Sequence, residues 1–322
     1  MTFYDQNLNL LPNYDAIDWG PGVGNFDEQA KHSQLIYYFK HRLSGQRVCI
    51  CNNKFNAEFI NSSDVDLVLV NRSDHPYPDK IVPLTKPYIF LDSNFNQDNY
   101  HPYHLLYSAY HAKFDTVDFT GTRPFKVSFI NRNARHTRIY ALLKLLDKPY
   151  SPDVKINWFK LGDDNQPIPE YEILVRQIGK DLTDNFFSIE DKFPEYIPRS
   201  ESELCSEIGD FTSSYLNIVA EASCEDIGFL TEKTYKPIRA GQLFLMQGPP
   251  GTIGYLRSRG FDTFDDFLDH NKYDNEPDWQ KRTDIMLELL DKVYNRIEDY
   301  FLATVDRRVN NQLKLIEHAQ IF

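Results

Sequence analysis

Two short polar segments of the chain carry side chains suited to an anionic ligand. The first, at 131–138, contains Asn131, Asn133, Arg135 and Arg138 directly after PFKVSFI, an apolar run of strand length. In an open α/β sheet, ligands bind beyond the carboxyl ends of the strands, where the next helix offers free N–H groups. Because guanidinium groups match phosphate oxygens in bidentate pairs, this segment predicts a diphosphate cradle. The alternative is a solvated helix start whose arginines pair with acidic side chains.

The second segment begins at Glu221 and continues through LTEKTYK. Thr231 is a suitable N-cap, which places Glu232 and Lys233 in the first turn of a short helix that ends before Gly241. A lysine beside the positive end of a helix dipole is unfavourable unless an anionic group lies there. A phosphate or a pair of sugar hydroxyls would explain Glu232 and Lys233 together, and a capping turn at the surface is the alternative.

The elements that must position these segments follow an α/β pattern of short apolar runs, polar turns and helical spacing. In the first third, RVCICNN, VDLVLVN and PYIFLDS are continuous apolar runs, which are typical of strands covered on both faces in a parallel sheet. The preceding stretch FDEQAKHSQLIYYFKHRL predicts a helix, because its apolar residues recur at helical spacing. These residues are Ala30, Leu35, Tyr38, Phe39 and Leu43.

A second series begins with a predicted strand at 125–130 and a helix at 137–146. Further along, YLNIVAEAS and QLFLMQG predict strands on either side of the short helix LTEKTYKPIRAG. Two helical patterns follow, YLRSRGFDTFDDFL and a long amphipathic region that starts at DWQKRTD. The economical architecture is two doubly wound α/β domains that meet at a cleft near residue 120. We expect domains at 1–120 and 121–300, and a helical segment at 301–322.

Composition narrows the classes of protein. The 322 residues carry 35 Lys and Arg against 47 Asp and Glu, a formal net charge of −12, which argues against a protein whose main task is to grip nucleic-acid phosphates. No apolar run reaches the ~18 residues that span a bilayer, and MTFYDQNLNL lacks a signal pattern, so we expect a cytoplasmic protein. Histidine spacings at His101, His104 and His111 fit no common zinc pattern. We expect no metal and no resident cofactor.

The segment LTEKTYKPIRAGQLFLMQG resembles the fucosyltransferase-type glycosyltransferases, whose signature is a Thr-Glu-Lys helix start, a glycine, an apolar strand and a terminal glycine. The upstream NRNARHTR is similar to the Ser-Asn-x-Asn-Ala-x-x-Arg turn of that family, with isoleucine for the serine and one extra residue before the final arginine. LRSRGFDTFD, with Tyr273-Asp274 and Arg282, also resembles sugar transferases of bacterial surface-polysaccharide and large-phage gene sets. The resemblance covers about 125–290.

This resemblance implies a GT-B fold, in which two Rossmann-like domains face an interdomain cleft and the second domain holds a nucleotide sugar. It implies that Arg138 and Lys233 neutralise the donor diphosphate and that Glu232 contacts the donor sugar or ribose. The departing nucleoside diphosphate develops negative charge, which fixed cations at a helix start stabilise without a metal. The remaining residues of the expected donor site are Asn131, Asn133, Arg135, Glu221 and Thr231.

An inverting transfer also needs a carboxylate that deprotonates the acceptor hydroxyl. In the resembled family this base follows an apolar strand of the first domain, at a Glu-Ser-Pro sequence. Here PYIFLD ends at Asp92, which serine and asparagine follow. Asp92 is the expected base, and Asp27 and Glu28 are its rivals. A purely structural Asp92 that caps the following turn is the remaining alternative.

The expected function is transfer of a sugar from a nucleotide sugar to an acceptor hydroxyl, by an inverting and metal-independent mechanism with a glycan as acceptor. One alternative is a phage-type enzyme that glycosylates hydroxymethylated pyrimidine bases of DNA in the host cytoplasm. A second alternative is a carbohydrate-binding protein without catalysis. A steep salt dependence of acceptor binding would indicate DNA, and donor turnover would exclude the non-catalytic protein.

Overall fold

A computed structural model gives the fold of the chain. It describes the backbone of six strands in the first 102 residues, then 105, 108–109, 112–113, 115–131, 134–158, 169–192, 208–221, 224 and 230–318. The chain divides into two compact units, Met1–Tyr110 with Glu317–Phe322, and His111–Ile316. The predicted interdomain cleft, and the bridging role of the last helical segment, stay predictions.

The first unit contains a mixed sheet whose described strands lie in sequence order. Its strands are β1 (Ile17–Asp18), β2 (Leu35–Lys40), β3 (Arg47–Cys51), β4 (Leu67–Asn71), β5 (Tyr88–Asp92) and β6 (His101–Pro102). The first three pair antiparallel, and β3 to β6 pair parallel. The three apolar runs predicted as parallel strands are confirmed as β3, β4 and β5, because their β-branched and aromatic residues favour a pleated backbone.

The helix predicted before β3 is wrong where the structure describes it. Leu35–Lys40 forms β2, in which Tyr38 lies opposite Cys49 of β3. The run LIYYFK is rich in aromatic and β-branched residues, which prefer strands, and pairing with β3 outweighs a helical spacing of apolar residues. The rest of the predicted helix, at 26–34 and 41–43, lies outside the described residues.

The second unit contains a four-stranded parallel sheet in the order β10-β9-β7-β8. Its strands are β7 (Phe125–Ile130), β8 (Val154–Asn157), β9 (Ser214–Ala220) and β10 (Leu243–Gln247). The chain steps from β7 outward to β8, returns to the other side of β7 as β9, and continues to β10. The winding therefore reverses between β7 and β9. In doubly wound sheets, ligands bind at the carboxyl ends of the strands at this reversal.

Helices of the second unit begin where its strands end. The described helices are α1 (His136–Leu146), α2 (Tyr171–Ile178), α3 (Lys180–Ile189), α4 (Glu232–Arg239), α5 (Thr252–Ser258), α6 (Trp279–Val293), α7 (Ile297–Ala303) and α8 (Val305–His318). α4 packs on β9 and β10, while α6 packs on β10 and α1. Every residue of β9 and β10 is buried, as their continuous apolar runs indicate. Because α1, α4 and α5 follow β7, β9 and β10, their N-termini lie at the carboxyl edge of the sheet.

The C-terminal third is more broken than its helical patterns predict. YLRSRGFDTFDDFL is helical only to Ser258, because Gly260 adopts a φ of +84° and the Phe261 N–H donates to the carbonyl of Leu256 at 3.1 Å. The long amphipathic region divides into α6, α7 and α8, at the 3-10 turn Tyr294–Arg296 and again at Thr304. Within the part of the chain that the structure describes, no helix has the length and apolar character to cross a bilayer.

Buried arginines fasten the amino edge of the second sheet. Arg308 donates to three backbone carbonyls, among them that of Gly241 at 2.7 Å, and Arg123 donates to several, among them that of Ser214 at 2.7 Å. Both guanidinium groups lie over the ring of Phe301, at 3.4 and 4.5 Å from its centre. Burial lowers the pKa of Arg308 to about 9 and that of Arg123 to about 10, so both are cationic at neutral pH.

A buried ion pair lies at the same edge. Arg239, the last residue of α4, binds Asp115 through two parallel bonds, Nε to Oδ2 at 2.8 Å and a terminal nitrogen to Oδ1 at 2.9 Å. The two side chains are 1% and 9% exposed. A bidentate guanidinium–carboxylate pair of this kind fixes the end of α4 to the segment that precedes β7.

Candidate functional site

The carboxyl ends of the strands bring polar residues to one edge. Asn131 follows β7 and Glu221 follows β9, the strands between which the winding reverses. The N–H of Asn131 donates to the carbonyl of Asn157 at 3.0 Å, and that of Glu221 donates to the carbonyl of Gln247 at 2.9 Å. These hydrogen bonds continue the pairing of β7 with β8 and of β9 with β10 by one residue. The backbone positions of Asn131 and Glu221 are therefore fixed by the sheet. Asn131 is 3% exposed and Glu221 is fully buried.

The Glu221 carboxylate closes the N-terminus of α4. Its Oε1 accepts the N–H groups of Thr231 and Thr234, both at 3.1 Å, and its Oε2 accepts the Thr231 hydroxyl at 2.7 Å. The Thr234 hydroxyl also donates to Oε1. Helix N–H groups and the helix dipole both stabilise a negative charge at this place. The anion that the sequence predicts beside α4 is therefore present in the chain itself, and Glu221 is a positioning residue for this helix.

The start and end of α4 agree with their predicted caps. Thr231 is the N-cap and accepts the N–H of Lys233 at 3.3 Å. The Lys233 ammonium pairs with Glu232 at 2.8 Å, and both side chains are mostly buried. Gly241 follows the helix with a φ of +59°, and a Cβ there would meet the ring of Phe119 at 2.5 Å. The helix start thus presents a lysine–glutamate pair rather than an unpaired cation.

Arg138 connects the two predicted segments. It lies in the first turn of α1, is 1% exposed, and interacts electrostatically with Arg135 as well as with Glu221 and Glu232. Burial lowers the pKa of Arg138 to about 10 and the nearby Arg135 acts in the same direction, while the two carboxylates oppose the shift. The guanidinium is therefore cationic at neutral pH. Although far apart in sequence, the two polar segments meet at one edge of the sheet.

The start of α1 differs from that of α4. Its cap residue Arg135 makes no side-chain capping bond, and its first turn contains no acidic residue. The N-terminus of α6, in contrast, is capped by Asp278, which accepts the N–H of Lys281 at 2.9 Å. In the turn before α1, the side-chain nitrogen and oxygen of Asn131 are both buried without a hydrogen-bond partner among the described residues. A buried polar group left in this way costs about 1–3 kcal/mol, so a ligand that satisfies the amide gains that free energy.

Two side chains whose structural role the sequence reasoning missed brace the β10 side of this edge. Gln247 donates through Nε2 to the carbonyl of Thr137 in α1 at 2.9 Å and to the hydroxyl of Thr283 in α6 at 3.0 Å. Arg282 of α6 donates to the carbonyl of Gly248 at 3.1 Å and to that of Cys224. These bonds join β10, α1 and α6. Arg282 and Gln247 carry no local sequence signal for this role, because their partners come from other parts of the chain.

The remaining predicted residues are placed as follows. Asn133, Asp27 and Glu28 lie outside the described residues. Asp92 is the last residue of β5 and lies opposite Pro102 in the parallel part of the first sheet, which confirms its expected backbone position. Its role as a base stays a prediction. Within the described parts of the chain, no group of three or more His, Cys, Asp or Glu residues has a metal-binding arrangement.

Comparison with known proteins adds little to this geometry. No protein-family model matches the chain, and no curated protein matches it. A solved structure named Glycosylation Associate Protein (Gap123) complex, from Streptococcus agalactiae, matches with a TM-score of 0.29 and 14% identity over 82% of this chain and 49% of that chain. The chain thus spans about half the length of that protein. A similarity this low supports no inference about fold or function.

Proposed function

We propose that the chain is a glycosyltransferase that uses a nucleotide sugar, and that the donor diphosphate binds at the carboxyl edge of the second sheet. The observation that carries the proposal is the convergence of the two polar segments at the reversal of the sheet, where Arg138 interacts with Arg135, Glu221 and Glu232. Ligands of doubly wound sheets bind at this place, and cationic side chains beside a helix start favour phosphate groups.

The start of α1 is the better of the two helix starts for the phosphates. A phosphate at α4 would meet the Glu221 carboxylate, which already accepts the N–H groups of Thr231 and Thr234. A phosphate at α1 would meet an N-terminus without a capping side chain from Arg135, and the buried amide of Asn131. A phosphate at α4 would therefore lie beside another anion, whereas a phosphate at α1 would meet hydrogen-bond donors.

The neighbouring charges suit a diphosphate that leaves from a sugar. The acceptor oxygen forms a bond to the anomeric carbon while the bond from that carbon to the terminal phosphate oxygen breaks, and the acceptor proton passes to a carboxylate base. The new negative charge on the diphosphate is stabilised by Arg138 and by Lys233, whose ammonium exchanges Glu232 for phosphate oxygens. Glu232 is then available to accept a hydrogen bond from a sugar or ribose hydroxyl.

A ligand screen tests the donor site. Thermal unfolding of the wild-type chain is measured with each common nucleoside diphosphate and nucleotide sugar, because a ligand at 100 times its Kd raises the free energy of unfolding by about 2.7 kcal/mol. We expect Lys233→Ala and Arg138→Ala to weaken binding of the best ligand roughly 10- to 100-fold, since each removes a charge-assisted contact. Lys180→Ala, which removes an exposed lysine paired with Asp184 on α3, is the matched control.

Two results would count against this proposal. Equal ligand-induced stabilisation of the wild type, Arg138→Ala and Lys233→Ala would place the donor elsewhere. If a nucleotide sugar binds but is not consumed with any glycan or DNA acceptor, the chain is a carbohydrate-binding protein without catalysis. Release of nucleoside diphosphate in the presence of one acceptor class, lost in the two variants, supports the transferase and identifies that class.

A further inference from the structure

Three aromatic rings meet beside the start of α1. His136, the first residue of α1, lies 5.3 Å from Trp279 between ring centres, at an interplanar angle of 74°. Tyr140, one turn later on α1, lies 5.4 Å from the same indole at 81°. Trp279 is the first residue of α6 and is partly exposed, as is His136. Two helix starts thus place an edge-to-face aromatic cluster next to Arg135.

The support behind this cluster is rigid. The Tyr140 hydroxyl lies 2.9 Å from both carboxylate oxygens of Asp284 on α6, and burial together with that carboxylate raises the pKa of the tyrosine well above its usual value. The first turn of α6 is capped by Asp278, and the Arg282 bond to the Gly248 carbonyl ties α6 to the end of β10. The indole therefore has little freedom to move, which lowers the entropy cost of packing a ligand against it.

We propose that Trp279, with His136 beside it, is the surface on which the nucleobase of the donor stacks. This inference rests on the proposed function and adds a second half to its binding site. The phosphates lie at the start of α1, and His136 is the residue next to Arg135 in that same helix start. In a nucleoside diphosphate only the ribose separates base from phosphates, so the base lies against the nearest exposed ring.

The chemistry of the cluster favours a base over the other parts of the donor. A base is flat and π-rich and stacks on an indole face, whereas the uncharged indole offers a phosphate no ion pair. Around the aromatic cluster the charged groups Lys144 and Asp284 are directed at Tyr140, since Lys144 lies 5.2 Å from its ring centre and Asp284 binds its hydroxyl. The partly exposed indole adjoins the helix start that carries the cationic Arg135 and Arg138, and Asp278, the cap of α6, precedes it in the chain.

The test compares nucleoside diphosphates with a diphosphate that lacks the nucleoside. Affinities of GDP, UDP and inorganic pyrophosphate are measured by calorimetry for the wild type, Trp279→Ala and Trp279→Phe. We expect Trp279→Ala to weaken the tighter nucleoside diphosphate roughly 10- to 100-fold and to leave pyrophosphate unchanged, because base stacking on an aromatic side chain has that magnitude. Trp279→Phe retains most of the affinity. Phe187→Ala, which removes an exposed aromatic side chain on α3, is the control that changes neither affinity.

The pyrophosphate measurement separates the possible failures. Equal losses for pyrophosphate and nucleotide would show that Trp279 only supports the fold, and an unchanged nucleotide affinity would show that the base lies elsewhere; either result overturns the inference. A loss confined to the complete nucleotide sugar would assign the indole to the sugar and also overturn it. If the wild type bound neither GDP, UDP nor pyrophosphate, the donor site itself would be wrong. Quenching of the indole fluorescence by GDP or UDP in the wild type, absent in Trp279→Phe, supports stacking.

Discussion

The two edges of the second sheet use buried polar groups in opposite ways. At the amino edge, Arg123 and Arg308 donate to backbone carbonyls and Arg239 is paired with Asp115. At the carboxyl edge, the amide of Asn131 has no partner among the described residues, and α1 begins without a capping side chain from Arg135. Burial of a polar group is common to both edges. What distinguishes the candidate site is that both polar atoms of the Asn131 side chain lack a described partner. The buried amide of Gln242 at the amino edge lacks one only at Oε1, because its Nε2 donates to the carbonyl and hydroxyl of Ser214.

The direction of the helices explains this difference. α4 ends at the amino edge, where the carbonyls of Ala240 and Gly241 accept hydrogen bonds from Arg123 at 2.9 Å and from Arg308 at 2.7 Å. Free carbonyls at a helix C-terminus attract cations, and free N–H groups at an N-terminus attract anions. α4 therefore gathers arginines at its C-terminus, at the amino edge of the sheet, and an anion at its N-terminus, at the carboxyl edge.

The largest expected effect comes from the carboxyl edge of the first sheet. If function lies where parallel strands end in both units, Asp92→Asn at the end of β5 lowers the rate of sugar transfer by about 10²–10⁴-fold, because the acceptor proton loses its base. Single-turnover rates with the best donor measure this, and stabilisation by nucleoside diphosphate stays at the wild-type value. A stability loss with normal turnover per folded molecule would make Asp92 a turn cap. If Asp92→Asn keeps the wild-type rate of sugar transfer while Asp27→Asn or Glu28→Gln loses it, the base is Asp27 or Glu28 instead.

The next effect concerns the amino edge, where we expect loss of stability without loss of binding. Arg239→Ala leaves Asp115 buried and uncompensated, which costs about 3–5 kcal/mol. Urea unfolding measures the change, and the ligand-induced shift of the surviving protein is that of the wild type. The double variant Arg239→Met with Asp115→Leu removes both charges and recovers most of the stability. Loss of nucleotide affinity in that double variant would contradict the comparison, in which the amino edge contributes stability and the carboxyl edge binds the ligand.

A third prediction extends the comparison to the β10 side, where a buried histidine has partners at both ring nitrogens. His270 is fully buried; its Nδ1 lies 2.6 Å from the Tyr273 hydroxyl and its Nε2 lies 2.9 Å from the Thr263 carbonyl. Burial lowers the pKa of His270 to about 4 from an ordinary 6.5. As the pH falls below 6.5 the unfolded chain binds a proton that the folded chain binds only near 4. Stability therefore falls between these values, by about 3 kcal/mol in total, and levels off below them.

The matched variant for this pH dependence is His270→Gln, which keeps a donor for the Thr263 carbonyl but does not titrate. Free energies of unfolding are measured from pH 7.5 to 3.5 for both proteins. Between pH 6.5 and 4 the free energy of unfolding should fall less in the variant, because its unfolded chain binds one proton fewer. Parallel curves would mean that other groups cause the decline and that His270 is protonated in the folded chain.

The smallest expected effect has the opposite sign to an ordinary core substitution. Asn131→Leu preserves the shape of the side chain and removes two unsatisfied polar atoms, so the unliganded protein gains about 1 kcal/mol of stability. The same variant loses part of the stabilisation that a nucleoside diphosphate confers. Thermal unfolding with and without ligand measures both quantities. A destabilised variant would show that the amide has a bonding role in the empty protein.

Local signals account for the parts of the structure that the sequence predicts well. The strands β3, β4 and β5, the N-cap Thr231 and the terminal Gly241 each depend on a few neighbouring residues. β2 was not predictable in the same way, because LIYYFK has apolar residues at helical spacing and its strand conformation depends on pairing with β3. The predicted helix at YLRSRGFDTFDDFL failed where Gly260 ends it, a signal that was present in the sequence.

The sequence indicates which polar residues follow the strands of the second sheet, but not the contacts that they make. Arg138, Glu221 and Glu232 lie at one edge of the second sheet, because strand ends and helix starts share that edge, and their role in donor binding stays a prediction. The use of Glu221 as the cap of α4 depends on a carboxylate that binds Thr231 ten residues later in the chain, a separation that no local sequence pattern covers. Trp279 joins the site from α6 for the same reason, because long-range packing carries no local pattern.

The Glu221 cap also bears on how the chain is able to change over evolutionary time. One carboxylate holds the end of β9 and the start of α4 together, so the residues between Glu221 and Thr231 leave from and return to two anchored points. A connection closed at both ends by the scaffold tolerates substitution, insertion and deletion at small entropic cost. Changes between these two points therefore leave the sheet and α4 in place as long as they spare Cys224, whose thiol contacts the carbonyl of Gln247 and whose carbonyl accepts from Arg282. Replacement of Glu221 itself would end that independence.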